Sequence, residues 1–118
     1  MKPEVLLSRI RVVLCRPSHP GNIGAVARAM KTMGLSNLYL VSPKQFPDPE
    51  ADTRATGAVD LLQRAKITIS LADALAGSTY AVALSARQRD LGPVSGQPRE
   101  TVARLLAEAE FADCHVYT

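Results

Sequence analysis

At 118 residues and 47% hydrophobic content the chain falls in the range of a single domain with one core, which argues against two separate domains. A net charge of +3 biases it mildly toward anionic partners, while the absence of Trp and the presence of only three Tyr and two Phe argue against a single-strand binder built on stacking platforms. No apolar run approaches the roughly 20 residues of a membrane span, no basic-then-apolar leader opens the chain, and Cys15 and Cys114 form neither a CxxC pair nor a metal-ligand spacing; these features predict a soluble cytoplasmic protein with reduced thiols and no metal site.

Ile10 to Cys15 is β-branched and almost continuously apolar, as suits a first strand buried on both faces of a parallel sheet. Pro17 and Pro20 stop it, because each removes a ladder donor. From about Asn22 to Met33 the apolar residues Ile23, Val26, Ala27, Met30 and Met33 recur at helical spacing and predict a core-facing stripe, with Gly34 as the stop. Leu38 to Val41 is a second strand, and strand, helix, strand within about 30 residues is a βαβ unit. The fold class is therefore α/β, a mostly parallel sheet flanked by helices.

After a Pro-rich loop from Ser42 to Pro49, residues Glu50 to Arg64 form one helix or two short ones broken near Gly57, with Ala58, Leu61, Leu62 and Ala65 inward. Ile67 to Ile69 is a third strand. Ser70 and Asp73 stand as in a capping box, opening a short helix that closes at Gly77. Tyr80 to Leu84 is a fourth strand; a basic, Gly- and Pro-rich loop runs from Arg87 to Pro98, a helix from Thr101 to Glu110, and a last strand over Cys114 to Tyr117.

Ligands of an open parallel sheet bind beyond the carboxyl ends of its strands, and two loops there carry suitable residues. In the turn from Arg16 to Gly24, Ser18, His19 and Asn22 supply polar groups, Gly21 and Gly24 permit close backbone approach, and the helix start offers amides to an anion; plain capping by Ser18 or Asn22 is the competing reading. Gly24, Arg28 and Lys31 or Thr32 follow along one side of the helix, with Arg28 read as inward-looking and Gly24 as leaving room for a ligand or a partner backbone; a solvated basic face is the alternative. The second loop is Leu84 to Arg89, where Ser85 and Ala86 let a ligand lie against the strand end and Arg87 and Arg89 reach phosphates, against the alternative of an ordinary basic loop. Neither matches a Walker loop, a GxGxxG turn or a nucleophile elbow.

The segment HPGNIGAVARAMKTMGLSNLYLVSP, with its Asn22-x-Gly24-x-x-x-Arg28 turn-helix after a buried strand, and Leu84-Ser85-Ala86-Arg87 after the fourth strand resemble the N-terminal half of the SpoU/TrmH family of SPOUT RNA 2′-O-ribose methyltransferases, in particular its bacterial tRNA-modifying branch. The resemblance runs to about Leu106. It implies an α/β-knot, S-adenosylmethionine as cofactor, RNA (in this branch tRNA) as substrate, and a homodimer. It assigns Arg28 to the target ribose, Asn22 to shaping the catalytic turn and Leu84, Ser85 and Ala86 to the cofactor; Ser18, His19, Lys31, Arg87 and Arg89, from the two loops and the helix face, are the RNA-binding candidates. The family pattern continues after Leu106 with a strand, a Gly-Arg-Glu loop and an Asn-rich motif, whereas here Ala107 to Glu110 leads into Phe111 to Thr118, which resembles the segment beyond that loop. The expectation is one SPOUT domain over 1–118 whose knot-forming part is incomplete after about 106 and beyond 118, through residues omitted from this sequence, with a natural deletion as the alternative. A non-catalytic RNA-binding or dimerisation module is the alternative; a flavodoxin-like small-ligand domain fits the βα pattern but leaves the Asn22 to Arg28 motif without a role.

Overall fold

The computed structural model describes residues 2–78, 80–83 and 114–117. The first element is a helix, α1 (Pro3–Ser8), which sequence reading passed over because six residues are too few for a helical period to show. Strand β1 (Ile10–Cys15) follows, then α2 (Pro20–Met33), β2 (Asn37–Val41), α3 (Pro49–Ala55), a 3-10 turn at Thr56–Ala58, α4 (Val59–Gln63), β3 (Lys66–Thr68), α5 (Leu71–Leu75), β4 (Tyr80–Ala83) and β5 (Cys114–Tyr117). The break expected near Gly57 is the 3-10 turn. The helix expected over Thr101 to Glu110 and the knot-forming part lie outside the described residues.

Helix boundaries follow local chemistry. α2 begins two residues earlier than its apolar period suggests, because Pro20 takes the first helical position, where its missing amide has no partner to lose. Gly34 ends it in the left-handed conformation at φ 81°, its amide bonded to the Lys31 carbonyl. The Ser70 hydroxyl accepts from the Asp73 amide at 3.1 Å, as the capping pattern predicts.

All five strands of the described sheet are parallel, in the order β3-β2-β1-β5-β4. Cys114–Tyr117, expected to lie beyond a missing central strand, is itself interior, paired with Ile10–Val13 on one side and Tyr80–Ala83 on the other. Side-chain alternation along β1 and β2 serves two faces. Leu14, Leu38 and Leu40 pack with Ile23, Ala27 and Met30 under α2, α3 and α4, while Val13 and Val41 pack with Ala74 of α5 on the other face.

Met33 corrects the expected apolar stripe: it is 59% exposed. Its position turns it well away from the line through Ile23, Ala27 and Met30, and it sits in the last turn, where the helix has little left to pack against. The half-buried free thiol of Cys15 is held above its ordinary pKa by burial, against the pull of the Arg16 charge.

Candidate active site on the helix after the first strand

The carboxyl edge of the sheet is built around two residues that leave it in the left-handed conformation, Arg16 after β1 at φ 49° and Ser42 after β2 at φ 44°. Both are held by the neighbouring strand. The Arg16 amide donates to the Val41 carbonyl at 2.7 Å and the Ser42 amide to the Thr68 carbonyl at 2.9 Å. The Lys44 amide then donates to the Pro17 carbonyl at 3.2 Å, tying the loop after β2 to the turn that carries Ser18 and His19. Strained residues so over-determined by their surroundings are a mark of functional turns.

Ser18, His19 and Asn22 are exposed on this turn and the first turn of α2. His19 is the helix N-cap in extended conformation, and no side chain caps the helix. The capping reading of Ser18 and Asn22 is thereby removed, and their polar groups face solvent. The Glu50 carboxylate stands beside Gly21, where a Cβ would come within 3.1 Å of Oε1, so a negative group lies against the positive end of the α2 dipole.

Gly24 is a site of close backbone approach, as expected, and what approaches is a neighbouring helix. A Cβ there would collide with the backbone carbonyl of Ala51 and lie 2.9 Å from the Ala55 amide nitrogen, so the room that glycine leaves is filled by α3 of the same chain. Arg28 is exposed rather than inward-looking. It lines an open groove of about 430 Å³ on the outer side of α2, with Ala25, Ala29, Thr32 and Met33 of that helix and Arg54 of α3. Asn22 and Arg28 are six residues apart, about 9 Å along the axis at 1.5 Å per residue, and on different sides of the helix. The described chain therefore gathers Ser18, His19 and Asn22 at one end of α2 and places Arg28 separately on its flank.

Lys31 is engaged elsewhere. Its Nζ donates to Asp60 Oδ1 at 3.0 Å and Oδ2 at 3.1 Å, joining α2 to α4. Arg11 of β1 donates from Nη1 to the carbonyls of Ala74 (3.2 Å) and Ala76 (2.9 Å) at the end of α5 and lies 5.0 Å from the Tyr39 ring centroid, a structural use of its charge. Leu84, Ser85, Ala86, Arg87 and Arg89 lie outside the described residues. Sequence reasoning passed over Arg54, which belongs to the generally acidic stretch from Asp48 to Asp60; its i+4 position after Glu50 was the available sign that it is a surface arginine.

A parallel sheet with helices on both faces, a strained turn at its carboxyl edge and an exposed arginine on the following helix define an α/β domain of the kind whose ligands bind at that edge. The chain belongs to the SpoU rRNA Methylase family, whose model matches residues 9–106. It is 48% identical over 105 residues to the tRNA (cytidine/uridine/adenosine-2′-O-)-methyltransferase TrmJ of Pseudomonas aeruginosa (strain UCBPP-PA14), covering 89% of this chain and 41% of that protein. It is 50% identical over 104 residues to the tRNA (cytidine/uridine-2′-O-)-methyltransferase TrmJ of Citrobacter koseri, covering 88% and 43%. The chain thus spans about two fifths of the length of these curated relatives. Among solved structures it is similar to a probable methyltransferase from Bordetella pertussis Tohama I, with a TM-score of 0.85 and 42% identity over 97% of this chain and 71% of that one. TrmJ from Z. mobilis ZM4 matches with a TM-score of 0.82 and 32% identity, over 91% of this chain and 47% of that one.

Proposed function

We propose that this chain carries out S-adenosylmethionine-dependent methyl transfer to a ribose 2′-hydroxyl of tRNA, acting as a homodimer in the cytoplasm. The observation that carries the reading is the Asn22-x-Gly24-x-x-x-Arg28 motif on a helix that leaves the carboxyl edge of a buried parallel strand, in a chain of the SpoU family about half identical to tRNA 2′-O-methyltransferases. Leu84, Ser85 and Ala86 are the proposed cofactor contacts. Support for this assignment comes from the strand before them, β4, which ends at Ala83 on the same edge as the turn after β1, with β5 between the two strands. The chain leaves β1 toward β2 on one side, and the crossover from β3 returns it to β4 on the other, beyond β5; a crevice at such a switch point suits a small ligand.

S-adenosylmethionine supplies an electrophilic methyl group on a sulfonium. With S-adenosylmethionine bound, the ribose 2′-oxygen would be the nucleophile toward the methyl carbon, its proton would leave to solvent, and Leu84, Ser85 and Ala86 would hold the cofactor. Arg28 orients the hydroxyl and its neighbouring phosphate and stabilises negative charge developing on the oxygen. An arginine remains protonated, so its role is positioning and electrostatic. DNA lacks the nucleophile, which restricts the reaction to RNA.

Incubation of the protein with labelled S-adenosylmethionine and bulk tRNA tests this reading. Arg28→Ala is expected to lower transfer by roughly 100-fold or more, with the circular dichroism spectrum unchanged because Arg28 is exposed. Undiminished labelling removes the role given to Arg28. Absence of transfer to any RNA, with no calorimetric signal from the cofactor, removes the enzyme and leaves an RNA-binding module. Sedimentation velocity reads the dimer directly.

A further inference from the structure

The groove beside Arg28 is lined by a second arginine, Arg54, whose placement is built into the packing of two helices. Gly21, Gly24 and Arg28 follow one another at i, i+3 and i+7 along α2. The two glycines give α3 a surface without side chains, and the stem of Arg54 lies across it. A Cβ at Gly24 would fall 2.9 Å from Arg54 Cβ, and one at Gly21 would fall 3.6 Å from Arg54 Cγ. Close approach of the helices thus makes Arg54 part of the lining of the groove that Arg28 also lines.

Neither guanidinium has a hydrogen-bond or ion-pair partner among the described residues. Glu50 stands one turn before Arg54, the spacing at which helical ion pairs ordinarily form, yet no ion pair joins them. Other basic side chains nearby are engaged: Lys31 and Arg64 both pair with Asp60. Two like charges therefore share one groove without a counter-ion, an arrangement that an anion between them relieves. The groove is open on its outer side and floored by Ala25, Ala29 and Thr32, so it admits an extended chain instead of enclosing a small molecule. Planar guanidinium groups match phosphate oxygens in a bidentate fashion.

We propose that Arg54 is a further RNA-binding residue, holding a backbone phosphate in the groove it shares with Arg28. This inference rests on the RNA methyl-transfer reading above. A phosphate contact fixes the register of the strand without reading its sequence and acts equally in the ground state and the transition state. Arg54 therefore sets the affinity for tRNA and leaves the chemical step to Arg28.

Binding of bulk tRNA is measured against salt concentration for the unmodified chain, Arg54→Met, Arg54→Lys and Arg64→Ala, alongside KM and kcat for methyl transfer. Arg54→Met keeps the aliphatic stem on the glycine surface and removes only the charge. Loss of one phosphate contact flattens the slope of log K against log salt by about 0.7 to 0.9, and KM for tRNA is expected to rise roughly threefold to tenfold with kcat unchanged. Arg54→Lys restores most of the slope, and Arg64→Ala keeps the original one. An unchanged slope and KM in Arg54→Met overturn the inference, as does a fall in kcat alone. If the unmodified chain transfers no methyl group, the proposed function fails while the salt slope still decides whether Arg54 meets a phosphate.

Discussion

Arg28 and Lys31 lie three residues apart on the same helix and invite the same reading from sequence, as two cations facing an anionic partner. Their surroundings separate them. Arg28 opens onto a groove, whereas the Lys31 ammonium is bound to both oxygens of Asp60, a residue 29 positions further along the chain. The hydrogen bond from Lys31 holds the Asp60 carboxyl below its ordinary value of 3.8, with the Lys31 and Arg64 charges adding to the effect against a counteracting desolvation. A carboxyl whose pKa falls on folding contributes stability above its unfolded value and loses it as pH falls through the folded one. Thermal unfolding should show Asp60→Asn slightly less stable than the unmodified chain at neutral pH, with the gap closing as the pH is taken below 3.8. High salt should narrow the gap too, since the pair is exposed. A gap independent of pH would show that Asp60 acts through packing alone.

At the scale of elements, the crossing of α2 and α3 is the contact on which the groove depends. Gly24 is a helix-interior residue, where alanine ordinarily gains about 1 kcal/mol from helix propensity. Here the added methyl meets the backbone of α3. Backbone cannot rotate aside as a flexible side chain can, so the helices must part and the buried alanines Ala51 and Ala55 lose contact. Gly24→Ala is expected to destabilise the protein by about 2 kcal/mol net, seen as a melting temperature lower by roughly 5 to 10 °C. A higher melting temperature would mean that propensity outweighs the clash. Sequence reading identified the glycine as a site of close approach but could not say what approaches, because helical period reports the face of a residue and not the neighbour it meets.

Across the whole molecule, stability comes from a sheet with helices on both faces, and Leu40 is central to it. It is fully buried, flanked by β1 and β3, and packed into the cluster beneath α2, α3 and α4. Leu40→Ala is expected to cost about 2 to 5 kcal/mol, a large share of the 5 to 15 kcal/mol typical of a domain. Chemical denaturation checks it, and a loss below 1 kcal/mol would mean that the core collapses readily around the gap.

Much of this was legible in the residues themselves. Ile10–Cys15 is β-branched and almost continuously apolar, the stripe of α2 has a 3.6-residue period, and Gly34 and Ser70 carry local signals for a stop and a cap; each depends on near neighbours in the chain. The Asn22 to Arg28 motif belongs to the same local order, and with it came the family. Only the tertiary structure decided that β5 lies between β1 and β4, that Met33 faces solvent, that Lys31 is held by Asp60 and that Arg54 stands beside Arg28. These are contacts between residues distant in sequence. They are set by which surfaces pack together, and a periodic pattern along one element contains no term for its partner.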